Sequence, residues 1–316
     1  MIIQENILLK NHTSYKIGGP ARYFIEAKSV AEVQEALEFW KEKGIALFVL
    51  AGGNNILFSD GGFAGLVLKI SLDSVRLSGE EIIVEAGAKL SDVVELAAKN
   101  GLKGIEWAGG LPGTIGGAVF GNAGAFGGEM KDIVVEVKSL DIRNPEKIVS
   151  RGNKECGFGY RTSAFKQIRN EIILEIKLRL QQGDSEEIEK AIKEHIRYRI
   201  ERQPLEYPSA GSTFKNVDVN LVSEEQKKQW SAVLKTDPFP LVPVAHLFSE
   251  AGLKGKKVGG AMISEKHPNF FINTGGATAS DVLDLISSAK KTIKERFGIE
   301  LEEEVQIIGE NGGIKF

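Results

Sequence analysis

The residue types best suited to chemistry sit in two glycine-rich segments. The first, Ala51-Gly52-Gly53-Asn54-Asn55, follows directly on the apolar run at 46–50. Glycine and asparagine tolerate positive φ, so such a turn exposes backbone N–H groups that can wrap a phosphate. It lacks the Lys-Ser/Thr of a P-loop, and no GxGxxG follows the strand, so neither standard nucleotide fingerprint applies. A plain tight turn before Leu57 is the competing reading. The second segment spans 107–129, and eleven of the 36 glycines fall between Gly101 and Gly128. A flexible linker would be polar and serine-rich. Here the glycines alternate with Leu, Ile, Val, Phe and Ala. Backbone without side chains between core-type residues fits close approach to a large flat cofactor with a pyrophosphate tail. A tightly packed helix-turn core is the alternative.

The composition excludes several other chemistries. With 40 Lys+Arg against 43 Asp+Glu, the net charge of −3 argues against a chain built mainly to hold nucleic acid. Cys156 is the only cysteine, which rules out an intramolecular disulfide and a Cys-rich zinc site. It reads as a small packed residue rather than a nucleophile. The four histidines are scattered without HxH or HExxH, so no metal is expected. No apolar run reaches the length of a membrane span, and MIIQENILLK lacks the basic segment and long apolar core of a signal peptide. The expectation is a cytoplasmic protein of two domains.

The elements that must position these segments mix helices and strands, which indicates α/β or α+β. A helix is expected at 30–43, with Val33, Leu37 and Trp40 on one face and Ser29/Glu32 as a capping box. Strands are expected at 46–50, 66–70, 82–85, 133–140 and 172–180, with a short helix at 91–100 stopped by Gly101. A long helix at 185–202 should bury Ile188, Ala191, Ile192, Ile196 and Ile200 and end before Pro204. A last helix at 280–297 packs through Val282, Leu285, Ile286, Ala289 and Ile293, before a strand at 305–308. The domain boundary is placed near 181–183. Residues 217–243 show no clear pattern.

Several segments then narrow the reading. Asn11-His-Thr-Ser-Tyr-Lys-Ile-Gly-Gly-Pro-Ala21, Gly53-Asn-Asn-Ile-Leu57, Gly110-Leu-Pro-Gly-Thr-Ile-Gly-Gly-Ala118, Asn122-Ala-Gly-Ala125 and Phe158-Gly-Tyr-Arg-Thr-Ser163 occur in that order. Pro208-Ser-Ala-Gly-Ser-Thr-Phe-Lys-Asn216 and Gly259-Gly-Ala-Met-Ile-Ser-Glu-Lys-His267 follow. Together, from about residue 5 to about 310, they resemble the UDP-N-acetylenolpyruvoylglucosamine reductase family. The resemblance implies an α+β fold: a two-part PCMH-type FAD-binding domain at 1–182, then a smaller α/β substrate-binding domain at 183–316. It implies an FAD enzyme of peptidoglycan precursor synthesis. NADPH delivers hydride through the flavin to the enolpyruvyl ether of UDP-N-acetylglucosamine, giving UDP-N-acetylmuramate. The expected partners are these small molecules, with the chain acting as a monomer.

Residue by residue, the resemblance assigns Ser212 as proton donor, Arg161 as holder of the substrate carboxylate, and Glu304 as the acid that polarises or reprotonates the same centre. Glu304 is preferred to Glu302 and Glu303 because it directly precedes the valine strand. Without the resemblance, Ser212 would be a turn residue, Arg161 a surface ion pair and Glu304 part of a solvated acidic run. The flavin would be held by Gly52, Gly53, Asn54, Asn55, Gly110, Pro112, Gly113, Thr114, Gly116, Gly117, Asn122, Ala123 and Gly124. Tyr160, Arg199, Arg202, Lys215, Asn216, Lys266, His267 and Asn269 are the expected substrate contacts.

There is no room after Arg161 for the extra tyrosine-bearing loop of one branch, so the chain resembles the shorter branch. The insertion at 226–243 is a lid or a surface excursion, with the latter preferred. Neither glycine-rich loop carries the His or Cys that tethers flavin in many oxidases of this domain type, so FAD should be non-covalent. The alternatives are another PCMH-type flavin enzyme acting on a small alcohol, and a non-enzymatic nucleotide-binding module.

Overall fold

The computed structural model describes residues 1–312 and the backbone of Ile314–Lys315. The chain forms two compact units, both discontinuous in sequence. The first comprises Met1–Ile7, Ala21–Gly53 and Ala64–Arg199; the second comprises Leu8–Pro20, Asn54–Phe63 and Ile200–Phe316. The expected boundary near 181–183 thus falls inside the first unit, because the helix Ser185–Arg202 packs there almost to its end.

The first unit holds two sheets. One has the strand order Gln4–Leu8, Pro20–Ala27, Phe63–Ile70, Leu47–Leu50, the last two being parallel. The other is antiparallel, in the order Asn144–Gly152, Val134–Asp141, Glu171–Arg179, Glu81–Glu85, Val75–Ser78. Helix Val30–Lys43 forms as the spacing requires, burying Val33, Ala36 and Leu37. Its capping box is only half made. Ser29 accepts the Glu32 N–H, but the Glu32 carboxylate takes the N–H of Lys28, one residue earlier. Helix Leu90–Lys99 buries Leu90, Val93, Val94 and Ala97 into the same core as Ile82, Val84, Ile115, Val119 and Ile176. Across the antiparallel sheet, Arg151 makes a two-pronged contact with Glu171, which also accepts from Ser139. That contact holds the Glu171 carboxylate below its ordinary pKa, with the Arg151 hydrogen bond the largest cause. Cys156 is fully buried and its thiol is pushed up to about 11 by burial, which keeps it protonated.

The second unit has its own core around Phe214, Phe248, Phe271, Leu285 and Ile293. Its main sheet runs Ser209–Ser212, Phe270–Asn273, Ala261–Ile263, Lys257–Val258, all antiparallel. A second sheet pairs Ile56–Phe58 with Gln306–Ile308 in parallel, so strands some 250 residues apart in sequence lie side by side. Helix Ala279–Phe297 buries the expected apolar face. Its first N–H groups, on Ala279 and Ser280, go to the carboxylate of Asp60 at 2.7 and 3.0 Å. Its far end stops at Gly298 in the left-handed conformation.

The segment 217–243 is corrected by the structure. It is not a surface excursion throughout: Val217–Asp218 pairs with Leu241–Val242, and the short helix Glu224–Gln229 delivers Trp230 into the core. Trp230 is 2% exposed, donates its indole N–H to Glu250 at 2.9 Å and meets Phe297 edge to face. Replacing Trp230 with Ala should therefore cost about 3–5 kcal/mol of unfolding free energy, measured by denaturant titration. A loss below about 1 kcal/mol would mean that this segment is separable from the core.

Candidate functional site

In the first unit the two glycine-rich segments come together. Within the second, residues Ile115–Phe120 form a one-and-a-half-turn helix capped by Thr114, whose hydroxyl accepts the Gly117 N–H. One face, Ile115, Gly116, Ala118 and Val119, is buried. A Cβ on Gly116 would lie 2.7 Å from that of Ala86, so only glycine permits this approach. The half-buried face carries Gly117 and Gly121, one turn apart, and a Cβ on Gly117 would lie 3.4 Å from Cβ of Ala51 in the first loop. Ala51, Gly117 and Gly121 thus lie close together and partly accessible, with little side chain between them. Both readings of the glycine block are present: a packed helix-turn on one side, a flat cradle on the other. The cradle fits a dinucleotide, whose ring and phosphates need small residues and main-chain donors.

Not every expected cofactor residue has free groups. The N–H groups of Gly116, Asn122 and Ala123 are bonded to Ala86, Val119 and Ala118. Gly124 is in a two-residue strand opposite Glu129. Asn122 is fully buried, and its amide donates to Glu129 and to the Gly159 carbonyl while accepting from the Lys131 N–H. That side chain therefore braces the turn leading to Arg161. Arg161 has φ 56°, a left-handed conformation unfavourable for a side-chain-bearing residue. Such strain persists where the surroundings impose it, often at functional positions. Its guanidinium donates to the Gly124 carbonyl at 3.1 Å and lies over the Tyr160 ring.

Helix Ser185–Arg202 docks on the glycine block through part of the expected apolar stripe, Ile188 and Ile192, with Ile196 passing close to Gly110. Ile196 and Ile200 are 37% and 57% exposed. Two polar residues, His195 and Arg199, complete the docking face. His195 meets the Glu106 carbonyl through Nδ1, and Arg199 donates to the carbonyls of Gly109 at 2.9 Å and Trp107 at 3.3 Å. Arg199 is 6% exposed, and burial lowers its pKa. It holds the start of the loop that contains Gly110, Pro112 and Gly113, whereas it was expected at the substrate phosphates. His195, which stacks on Phe126, was not expected at all; its apolar-looking neighbours hid it.

In the second unit, Ser212 and Glu304 are brought together. Ser212 ends the strand Ser209–Ser212 opposite Phe270, after an irregularity at which Gly211 adopts φ 80°. Among the described residues, no hydrogen bond engages its Oγ. The next residue, Thr213, accepts at its carbonyl from the N–H of Glu304 (2.8 Å) and of Val305 (3.3 Å). The acidic run around Glu304 is not simply solvated. Glu300 pairs with Lys294, Glu302 with Lys215 and Glu303 with Lys290.

Other expected contacts have structural work in the second unit. Asn269 is buried, and its amide accepts the Phe214 N–H and donates to the Phe214 carbonyl, imitating a strand neighbour. Asn216 accepts the N–H of Val244 at the start of the helix Val244–Glu250. Lys266 reaches the carbonyl of Ile200 at 2.7 Å, while Arg202 is exposed. The Asn54 carbonyl accepts from Ser14, and Asn55 bonds to the Glu304 carbonyl. Among the described residues, no group of three or more His, Cys, Asp or Glu is placed to hold a metal, and no helix is long and apolar enough to cross a membrane.

Residues 21–145 match a family model described as FAD binding domain, and residues 203–308 match the C-terminal domain of UDP-N-acetylenolpyruvoylglucosamine reductase. With the small-residue cradle, these define an oxidoreductase of the FAD-binding class. A reductase of that name from Caldanaerobacter subterraneus is 43% identical over 96% of this chain and 92% of its own. Another from Clostridium novyi is 40% identical over 98% and 92%. The crystal structure of the Thermus caldophilus enzyme superimposes with a TM-score of 0.78 at 31% identity, covering 97% of this chain and 99% of that one. The chain belongs to the UDP-N-acetylenolpyruvoylglucosamine reductase family.

One of the expected substrate contacts makes a pH prediction. Burial, reinforced by Lys235 and Lys254, lowers His267 from 6.5 to about 4, so it is neutral in the folded chain. The unfolded chain takes up that proton first as pH falls. The stability contribution is thus complete above pH 6.5 and is lost from there down to about pH 4. Thermal unfolding of wild type should fall relative to His267→Gln across that window and run parallel to it above pH 7. Parallel curves throughout would contradict the assignment.

Proposed function

We propose that this chain reduces the enolpyruvyl ether of UDP-N-acetylglucosamine to UDP-N-acetylmuramate, with NADPH as reductant and non-covalent FAD, in the supply of peptidoglycan precursors. The observation that supports it most is the bond from the Glu304 N–H to the carbonyl of Thr213, the residue after Ser212, whose own hydroxyl makes no hydrogen bond among the described residues. On this reading the first unit supplies the cofactor cradle and Arg161, and the second supplies Ser212 and Glu304. The backbone at Gly52-Gly53 and from Gly110 to Gly117 would hold FAD, with Pro112, Gly113 and Thr114 shaping the turn. Bound there, FAD would supply the hydride chemistry that links NADPH to the enolpyruvyl group.

The chain's own residues supply the rest. The planar Arg161 guanidinium suits a bidentate contact with the substrate carboxylate and stabilises negative charge as hydride arrives. Tyr160 supports that guanidinium with its ring face. Ser212 Oγ gives its proton to the carbon beside the carboxylate, completing the saturated lactyl ether. A serine hydroxyl is a weak acid, so this transfer needs a strongly basic carbon centre held beside it and a group that favours the charge left behind. Glu304 serves that centre from the adjoining strand, by polarising it or restoring the proton. Lys215 and Lys266 would contribute positive charge toward the diphosphate.

Replacing Ser212 with Ala should leave FAD binding and NADPH-driven bleaching of the flavin, while reoxidation by the enolpyruvyl sugar nucleotide falls about 10²-fold or more. Anaerobic absorbance measurements separate the two half-reactions. Full turnover by the variant would remove Ser212 from the proposed role.

A further inference from the structure

Asn55 belongs by position to the cofactor loop, yet its amide is turned toward the other end of the chain. It stands immediately before the strand Ile56–Phe58, whose first residue is in register with Gln306. Its carbonyl accepts the Gln306 N–H at 3.1 Å, continuing the parallel ladder by one residue. Its Nδ2 then donates to the Glu304 carbonyl at 3.0 Å across 249 residues of sequence. On its other side, the Glu304 N–H is bonded to Thr213, next to Ser212. Both peptide groups of Glu304 are thereby pinned, the N–H by the Ser212 strand and the carbonyl by Asn55. With both neighbouring peptide planes held, the Cα–Cβ direction of Glu304 is fixed.

A second observation separates this role from ordinary fold maintenance. Asn55 Oδ1 is buried and, among the described residues, has no hydrogen-bond partner. Most buried polar atoms are hydrogen-bonded. Among the described residues the Asn55 side chain is engaged through its donor alone.

We propose that Asn55 is the positioning residue for Glu304, its amide fixing the Glu304 main chain relative to Ser212. The inference rests on the function proposed above, because Glu304 must serve the centre that Ser212 protonates. Asn55→Asp sets an acceptor against the Glu304 carbonyl, and Asn55→Ala removes the group altogether. Both act through the same lost hydrogen bond.

The test uses the FAD-loaded protein, anaerobically, in wild type and both variants. Reduction by NADPH and reoxidation by the enolpyruvyl sugar nucleotide are timed separately, and FAD affinity is read from flavin fluorescence. Amide hydrogen exchange at Glu304 and Val305 is followed in parallel. In whichever variants fold, reoxidation should slow about 10²-fold more than reduction, as misplacement of a catalytic group requires. The Glu304 amide should exchange on the order of tenfold faster, since its bond to Thr213 is no longer backed from the other side. Equal slowing of the two half-reactions, weakened FAD binding with normal reoxidation at saturating FAD, or unchanged exchange at Glu304 overturns the positioning role. Wild-type protein that is reduced by NADPH but never reoxidised by the sugar nucleotide overturns the proposed function, and this inference with it. If neither variant folds, Asn55 is a fold-maintaining residue and the inference fails.

Discussion

Much of the second unit depends on one parallel ladder, Ile56–Phe58 against Gln306–Ile308. Parallel neighbours need a long connection, and here the connection is most of the chain. The ladder gives residues 302–305 a fixed address beside 213–215: Lys215 N–H bonds to the Glu302 carbonyl, and Thr213 receives Glu304 and Val305. Ser212 and Glu304 owe their proximity to that address. Just past the ladder, Asp60 caps the helix Ala279–Phe297, so the same short segment also anchors the longest helix of the unit. A contact order this high slows folding, but it lets two distant stretches of sequence meet with little play.

The first unit solves a different problem, exposing backbone without losing the fold. Glycine-rich chain is entropically costly to order. The cost is offset by fixing the segment from several sides. Thr114 caps its helix, and Asn122 binds three neighbouring groups. His195 and Arg199 bind the carbonyls of Glu106, Trp107 and Gly109. A buried guanidinium satisfied by carbonyls and by the Phe126 ring is an unusual device, since buried cations are normally paired with carboxylates. Its positive charge beside a backbone cradle also favours an anionic ligand.

How much of this was legible in the residues depends on whether a feature has a period. The helices Val30–Lys43, Ser185–Arg202 and Ala279–Phe297 announce themselves by apolar spacing and by Ser29, Pro204 and Thr278 at or near their ends. The strand Asn144–Gly152 does not: it is a largely exposed edge that begins Asn-Pro-Glu-Lys and so reads as loop. The docking face of Ser185–Arg202 is legible only in Ile188 and Ile192, because its other two anchors, His195 and Arg199, are polar. The resemblance places Asn122, Asn269 and Arg199 at ligands, and in the structure each also bonds main-chain groups. Their bonds to main-chain groups distant in sequence have no local signature. Trp230 was hidden in an unpatterned stretch for the same reason, its partners Glu250 and Phe297 lying well downstream. The glycine excess located the cradle; Arg161, Ser212 and Glu304 came from ordered motifs, not from composition.

The most direct measurement is a stoichiometric anaerobic titration of the FAD-loaded wild-type protein. One equivalent of NADPH should bleach the flavin band, and one equivalent of the enolpyruvyl sugar nucleotide should restore it. One equivalent of UDP-N-acetylmuramate should form as it does so. A chain that takes up no FAD, or whose bleached flavin recovers only when oxygen is admitted, would contradict the account.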